Sequence, residues 1–495
     1  MNRHVCIHGH FYQPPRENPW REEIEVQESA HPYRDWNERI TAECYAPNAA
    51  AQILDGEHRV ARIVNNYARI SFNFGPTLLA WLETHHPAVY GALLAADRES
   101  RERFSGHGSA LMQPYNHIIL PLANRRDKQT QVAWGVADFA HRFGRRPEGA
   151  WLPETAVDLE SLELLVDQGI RFTILEPGQA QGAVDTTLPA EVLLPSGRTI
   201  AVFFYDGRTS RAVAFEGLLS SGERFAEHLL SSVPGEPNRP RLAHIATDGE
   251  TYGHHHRFGE MALAYALQYI EEQRLARLTN YGEFLALHPP RERVEIHEGT
   301  AWSCAHGVGR WHRDCGCHTG GRPGWNQAWR EPLRAALDDL RDVLAPRFER
   351  EAARIFRDPW AARDDYVAVL LDRTPAGVAA FFDRQAAGQP QGLDRVRALH
   401  LLEMQRQALL MYTSCGWFFS DLSGIETIQV LSYAGRAVQL AEQLFHEEIE
   451  ERFLRRLDAS RSNLPEHGTG RDLFRRHVRP FMADPPAVAG EALVR

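Results

Sequence analysis

Through the first 280 residues, short β-rich runs alternate with longer amphipathic stretches, a rhythm that admits few folds. The runs cover 3–8, 68–74, 110–113, 149–152, 171–175, 199–205 and 242–247. Between several of them lie helical patterns such as 128–143, where Val132, Val136, Phe139 and Ala140 recur at helical spacing. Strands alternating with helices predict a parallel sheet, either closed or doubly wound. Polar residues follow the C-terminal ends of these runs: His8 and His10, Glu154, Glu176, Asp206 and Asp248. An open sheet gathers such groups at one switch point, whereas a β/α barrel spreads them around its mouth. The pattern therefore predicts an α/β fold, a seven-stranded (β/α) barrel. From Glu331 the rhythm changes: Leu333, Ala336, Leu337, Leu340 and Val343 mark one helix, with more over 397–412 and 425–450. We expect a catalytic barrel over 1–290 and a Trp/Cys/His-rich active-site loop over 291–330. A mostly helical C-terminal domain packing on the barrel follows over 331–457, then a loosely ordered tail over 458–495.

The chain's 495 residues leave room for a large catalytic unit and a second one. A formal charge of −10, with no block of Lys or Arg, disfavours nucleic acid, which needs a concentrated basic surface. No run approaches the roughly twenty apolar residues of a membrane span, and no basic-then-apolar leader opens the chain. We expect a cytoplasmic protein without a membrane partner. Six Cys in so long a chain make no disulfide framework. Eleven Trp and fourteen Tyr suit the apolar faces of sugar rings.

Two carboxylates stand out. In Gly149-Ala150-Trp151-Leu152-Pro153-Glu154 a strand ends at Pro, which cannot continue a ladder, and Glu154 follows directly. It is placed to attack a sugar, or alternatively to complement the dipole of the helical run from Leu159. In Thr247-Asp248-Gly249-Glu250-Thr251-Tyr252-Gly253-His254, two carboxylates neighbour a histidine cluster, and such groups perturb one another's pKa values. The alternative is that Asp248 or Glu250 caps the next helix. A retaining glycosidase needs a nucleophile and an acid roughly 5 Å apart, so Glu154 and Asp248 must be brought together from different strands.

Further candidates surround them. His8 and His10 lie on one side of the first strand, followed by Gln13, and His117 follows the third run. They suit sugar hydroxyls or a metal, or are structural. Trp302, Trp325 and Trp329 accompany Cys304, His306, His312, Cys315, Cys317 and His318 in one Gly-rich stretch. Cys315 and Cys317 are one residue apart, where zinc knuckles favour two to four. We therefore read a sugar-contacting loop and expect no metal and no cofactor.

With His8 to Pro14, Tyr115 to Pro121, Trp151 to Thr155 and Thr247 to His254 in this order, the chain resembles glycoside hydrolase family 57. Trp302 to Trp329 and Trp417-Phe418-Phe419-Ser420-Asp421 resemble its bacterial subgroup with an uncharacterised C-terminal region. The resemblance implies a seven-stranded barrel with helices that help close the site, and a retaining mechanism on α-glucans. It implies Glu154 as nucleophile, Asp248 as acid/base, and His8, His10 and His117 in the donor pocket. Gln13, Trp151, Glu250, His254, Trp302, Trp325, Trp329, Trp417 and Asp421 complete the expected substrate-binding set. Amylase, branching, 4-α-glucanotransferase and α-galactosidase activities all occur in the family. The chain departs from it by two extra residues in His10-Phe11-Tyr12-Gln13-Pro14 and by a Cys/His-rich loop. Two other readings stay open: a metal-dependent deacetylase or mannosidase-like enzyme using His8, His10 and Asp248, and a non-catalytic carbohydrate-binding protein.

Overall fold

The computed structural model describes residues 2–233 and 239–482. It divides into two compact units. The first comprises Met1–Gln13, Val26–Pro114 and Phe139–Trp302; the second comprises Pro14–Glu25, Tyr115–Asp138 and Ser303–Arg495.

The first unit is α/β. Its strands are β1 (Arg3–Phe11), β2 (Ala51–Leu54), β3 (Val60–Val64), β4 (Ser71–Phe74), β5 (Gly149–Ala150), β6 (Phe172–Leu175), β7 (Ala190–Leu193), β8 (Thr199–Phe204), β9 (Arg241–Asp248) and β10 (Arg277–Leu278). In one sheet, β1 pairs in parallel with β9 along its length and with β10 and β4 on its other edge. In another, β5, β6 and β8 run parallel and β7 joins β8 antiparallel. The hairpin of β2 and β3 is separate. Because β1 is covered on both faces, it reads as a nearly unbroken buried run instead of an alternating one.

The expected closed barrel is not what forms: no continuous ladder joins the two sheets among the described residues. The third expected strand, 110–113, is reduced to isolated bridges from Ala110 to Phe72 and from Met112 to Ala150. Between β8 and β9 one hydrogen bond runs from Asp206 N to His244 O, 2.8 Å. The seam is occupied there by other chain: Thr187 O accepts from Leu242 N at 3.0 Å, and Thr186 O accepts from His244 Nε2 at 2.9 Å.

Side chains from both sheets nevertheless share one interior. Cys6, Trp151, Phe172, Ile174, Ala201, Phe203, Tyr205, Leu242 and Ala246 form a single buried cluster with Tyr281 and Phe284. Alternation dictates the membership: residues two apart on β6, β8 and β9 point the same way. The same rule sends His8 and His10 of β1, and Asp248 of β9, toward the C-terminal end of that interior. Truncating a residue such as Phe203 would cost about 3–5 kcal/mol through lost transfer energy and the cavity left behind. Four surrounding helices, Leu159–Asp167, Gly207–Phe215, Gly222–Ser231 and Tyr281–Leu287, begin at Asp158, Asp206, Ser221 and Asn280. Each of those side chains accepts from the backbone N–H three residues on, a cap of about 1 kcal/mol.

The second unit is largely helical. Its long helices are Arg330–Ala352, Gly392–Leu410 and Ile425–Phe445. A charged knot is buried within it: Arg363 donates to Asp127 Oδ1 at 2.8 Å, to Gln405 Oε1 at 3.1 Å and to Arg126 O at 2.9 Å. The residues after 458, expected to be loosely ordered, carry helices Gly470–His477 and Arg479–Met482. The rest of that expectation, 483–495, lies outside the described residues.

Candidate active site

Glu154 stands where β5 leaves its sheet, after Pro153 removes the next donor. Its backbone is left-handed, φ 57° and ψ 21°, and Thr155 follows at φ 51°. Left-handed backbone costs a non-glycine residue roughly 1–2 kcal/mol, so two in succession must be held from outside. Trp302 does much of this: its N–H donates to Glu154 O at 3.1 Å and is 3.0 Å from Thr155 Oγ1. Gln179 Nε2 donates to Thr155 O at 2.8 Å. The Trp302 indole Nε1–H then donates to Glu154 Oε2 at 3.0 Å, aiming the carboxylate. Strain sustained in this way concentrates at functional sites. The helix-dipole alternative for Glu154 has another occupant, because Asp158 caps Leu159–Asp167.

Asp248 ends β9 in register with His10. It gives no side-chain cap to the turn Gly249–Thr251 that follows. Its side chain is exposed while the rest of the strand end is buried. The surrounding protein first, and the Glu154 carboxylate second, raise its pKa from 3.8 to about 7. A proton held on one carboxylate by the charge of its neighbour is what acid catalysis beside a nucleophile requires. Tyr205, which burial pushes upward, also feels Glu176 and Asp248 and so lies at this site.

Glu250 has a different setting from its neighbour. It is 6% exposed, accepting from Tyr45 Oη at 2.6 Å and Tyr12 N at 3.0 Å. Burial raises its pKa to about 8, against the Tyr45 hydrogen bond and with the charge of Asp248. The bond from Tyr12 N fixes the chain after His10. Gly253 is required here: at φ 143°, a Cβ would lie 2.3 Å from Glu43 O. That approach lets His254 Nδ1 pair with Glu43, which Arg39 also contacts at 3.1 Å.

The histidines of β1 form an aromatic floor. His8 and His10 both stack on Trp151, with ring centroids 4.8 and 5.1 Å away, and Tyr12 stacks on His10 at 5.8 Å. His8 is wholly buried, between Ser71 Oγ at 3.0 Å and Asn73 Oδ1 at 3.1 Å. His10 Nδ1 is 3.0 Å from Asn73 Nδ2, and Asn73 donates to Gln113 Oε1 at 2.7 Å. Burial holds both rings neutral, each pKa lowered to about 3. Trp302 meets Trp151 edge-on at 5.0 Å. Gln13, also expected in the site, bonds back to Tyr12 O at 3.1 Å.

Glu154, Asp248, His10, Trp151 and Trp302 thus come together in the first unit, with His8, Gln13, Glu250 and His254 around them. Asn73, Tyr45, Tyr205 and Gln179 were missed. Asn73 had a sequence signal, an amide of low β-propensity inside the strand Ser71-Phe72-Asn73-Phe74. Two expected strand-end groups are local caps: Glu176 for the turn Pro177–Gln179 and Asp206 for its helix.

The remaining candidates belong to the second unit. His117 is buried at φ 54° with Nδ1 2.7 Å from Ser414 Oγ. Trp329 and Trp417 are each 1% exposed, so core packing covers the faces expected to meet sugar. Trp325 is half-buried near Arg322. Asp421 accepts from Ser423, Ser462 and Asn463, which occupies its carboxylate locally. Among the described residues, the group with metal-ligand proximity is Cys304, His306, Cys315 and Cys317; it does not include His8, His10 or Asp248.

A family model described as glycosyl hydrolase family 57 matches residues 34–297, and a domain of unknown function (DUF3536) matches 325–495. The chain is 25% identical over 191 residues to alpha-amylase 1 of Dictyoglomus thermophilum, a match covering 37% of this chain and 26% of that protein. The chain therefore spans about a quarter of that relative's length. An exo-type maltose-forming amylase from Pyrococcus sp. ST04 shares the fold, with TM-score 0.72, 14% identity and 97% and 93% coverage of the two chains. A branching enzyme from Pyrococcus horikoshii aligns with TM-score 0.57, 16% identity and 99% and 98% coverage.

Proposed function

The chain belongs to glycosyl hydrolase family 57, and from that premise we propose a retaining hydrolase or transglycosylase of α-linked glucans. Glu154 is its nucleophile and Asp248 its acid/base. The observation that carries this reading is the pairing of a strained, indole-held Glu154 with an Asp248 whose proton Glu154 helps retain. In the first step Glu154 attacks the anomeric carbon as the glycosidic bond breaks, and the departing oxygen takes the Asp248 proton. In the second, Asp248 removes a proton from water or a sugar hydroxyl, which attacks the same carbon and frees Glu154. Water gives hydrolysis; a sugar gives transfer or branching. Trp302 orients the nucleophile, and Trp151 with His10 forms the apolar floor for a sugar ring.

We read the two sheets as an open-seamed form of a seven-stranded barrel, working in the cytoplasm. The shared interior and the gathering of Glu154 and Asp248 at one end support the barrel reading. Against the metal-dependent alternative, both ring nitrogens of His8 are engaged, by Ser71 and Asn73, and Nδ1 of His10 faces Asn73. Amylose and maltoheptaose incubated with wild type and with Glu154→Gln test the proposal. New oligosaccharides or branches from wild type alone, first formed with α configuration by proton NMR, support it. Undiminished turnover by Glu154→Gln removes Glu154 from its role, and first products of β configuration exclude a retaining mechanism. Tight glucan binding without turnover would leave a carbohydrate-binding protein.

A further inference from the structure

The loop after Trp302 holds four soft ligands in a cage. The ligand atoms of Cys304, His306, Cys315 and Cys317 all lie within 4.8 Å of one another. Cys304 Sγ is 3.9 Å from Cys315 Sγ, and Cys317 Sγ is 3.4 Å from His306 Nδ1. A disulfide would bring two sulfurs to about 2.05 Å. A tetrahedral zinc ion, with bonds of about 2.3 Å to sulfur and 2.0 Å to nitrogen, sets sulfur–sulfur edges near 3.8 Å and sulfur–nitrogen edges near 3.5 Å. The observed separations fit the second case. We propose that Cys304, His306, Cys315 and Cys317 bind one zinc ion in a closed, four-coordinate structural site.

The one-residue spacings that spoke against zinc in the sequence are overcome by backbone geometry. Gly307 and Gly316 take φ 75° and 78°, turning the chain beside each ligand pair. The short turn Gly309–Trp311 then folds the second pair back over the first. It does so closely: a Cβ on Gly309 would stand 3.1 Å from Cys315 Cβ. The backbone N–H groups of His306 and Arg310 hydrogen-bond the Cys304 sulfur, as outer-shell donors do around metal thiolates.

Charge supplies an independent argument. Arg330 is wholly buried and Arg310 is 7% exposed, and neither forms a salt bridge among the described residues. Arg330 spends its guanidinium on Cys317 O at 2.8 Å and Phe419 O at 3.3 Å, leaving Nε without a partner. Buried cations need compensation. Three thiolates, one neutral imidazole and Zn²⁺ carry a net single negative charge, which these arginines would face. The site would staple the loop onto Phe418 to Ser420, where Arg310 Nη1 donates to Phe418 O at 3.1 Å and Ser420 Oγ to Thr319 O at 2.6 Å.

The test is metal content of the full chain purified anaerobically, without chelator, from zinc-supplemented medium. About one zinc per chain is expected, falling at least tenfold in Cys317→Ser and His306→Ala. Replacement by Co²⁺ should give thiolate charge-transfer and tetrahedral ligand-field absorption in wild type. That spectrum decides the matter even where a variant does not fold. Wild type lacking zinc and giving no such Co²⁺ spectrum overturns the proposal. So does zinc retained by a folded Cys304→Ser/Cys317→Ser variant, which would place the ion elsewhere.

Discussion

Replacing Glu154 by Gln removes one charge from the mouth and should lower the pKa of Asp248. The rise at Asp248 runs from 3.8 to about 7, with desolvation by the surrounding protein the larger cause, so the Glu154 charge supplies less than half of it. Coulomb's law gives a consistent figure. Carboxylates of a retaining pair stand roughly 5 Å apart, and the exposure of Asp248 calls for a screened dielectric of ~40, giving ~1.7 kcal/mol, or just over one pH unit. Protein labelled with ¹³C at the aspartate side-chain carboxyl reports the titration by NMR, and Asp248→Asn identifies the signal. Wild type should titrate well above 3.8, up to about 7, and Glu154→Gln about one pH unit lower. The sign extends to stability. Between those values Asp248 is protonated when folded and ionised when unfolded, so its contribution falls as pH rises from 3.8 to about 7. An ordinary wild-type titration near 4, or the same midpoint in both proteins, would refute the coupling and the acid role built on it.

Trp302→Phe keeps the aromatic contact but loses the N–H bond to Glu154. A hydrogen bond to a charged group is worth about 1.5–3 kcal/mol, so kcat on maltoheptaose should fall roughly 10–100-fold with KM little changed. Gly253→Ala drives a Cβ against Glu43 O; chemical denaturation should show a loss of about 1–3 kcal/mol, and a neutral result would mean the turn relaxes freely. Arg363→Met strands Asp127 in the second unit and should cost about 3–5 kcal/mol, much of it recovered in Arg363→Met/Asp127→Leu. Equal losses in the single and double variants would show that burial of charge is not the cause.

Periodicity located the main strands because alternation and apolar runs are local properties. The expected run 199–205 appears as Thr199–Phe204, and 242–247 as Arg241–Asp248. Closure was not legible, because a seam depends on what fills it, here Thr186 and Thr187. The exposed hairpin strand Val60–Val64 carried no buried face to announce it. Pro153 marked Glu154 from sequence, yet nothing local revealed that an indole 148 residues away would hold its carboxylate. Counting Trp residues could not separate core from surface, which is why Trp329 and Trp417 were expected at sugar. Glu250 and Asp248, two residues apart, differ in burial and in partners, and the partners of Glu250, Tyr45 and the backbone of Tyr12, are long-range ones that no spacing rule encodes. The proximity of Cys304, His306, Cys315 and Cys317 was likewise not legible from spacing, because it depends on the positive φ of Gly307 and Gly316.

The dependence of Glu154 on Trp302 also imposes an order on synthesis. A ribosome that has completed β9 has delivered both carboxylates but not the residue that clamps one of them. Residues 249–302 follow at about 5–20 per second, so for several seconds the nascent chain holds a Glu154 whose left-handed backbone lacks its restraint. Restraint of Glu154 therefore arrives late, after the bulk of the first unit exists, and a chain stopped just short of Trp302 would keep both carboxylates yet lack the indole that holds one of them.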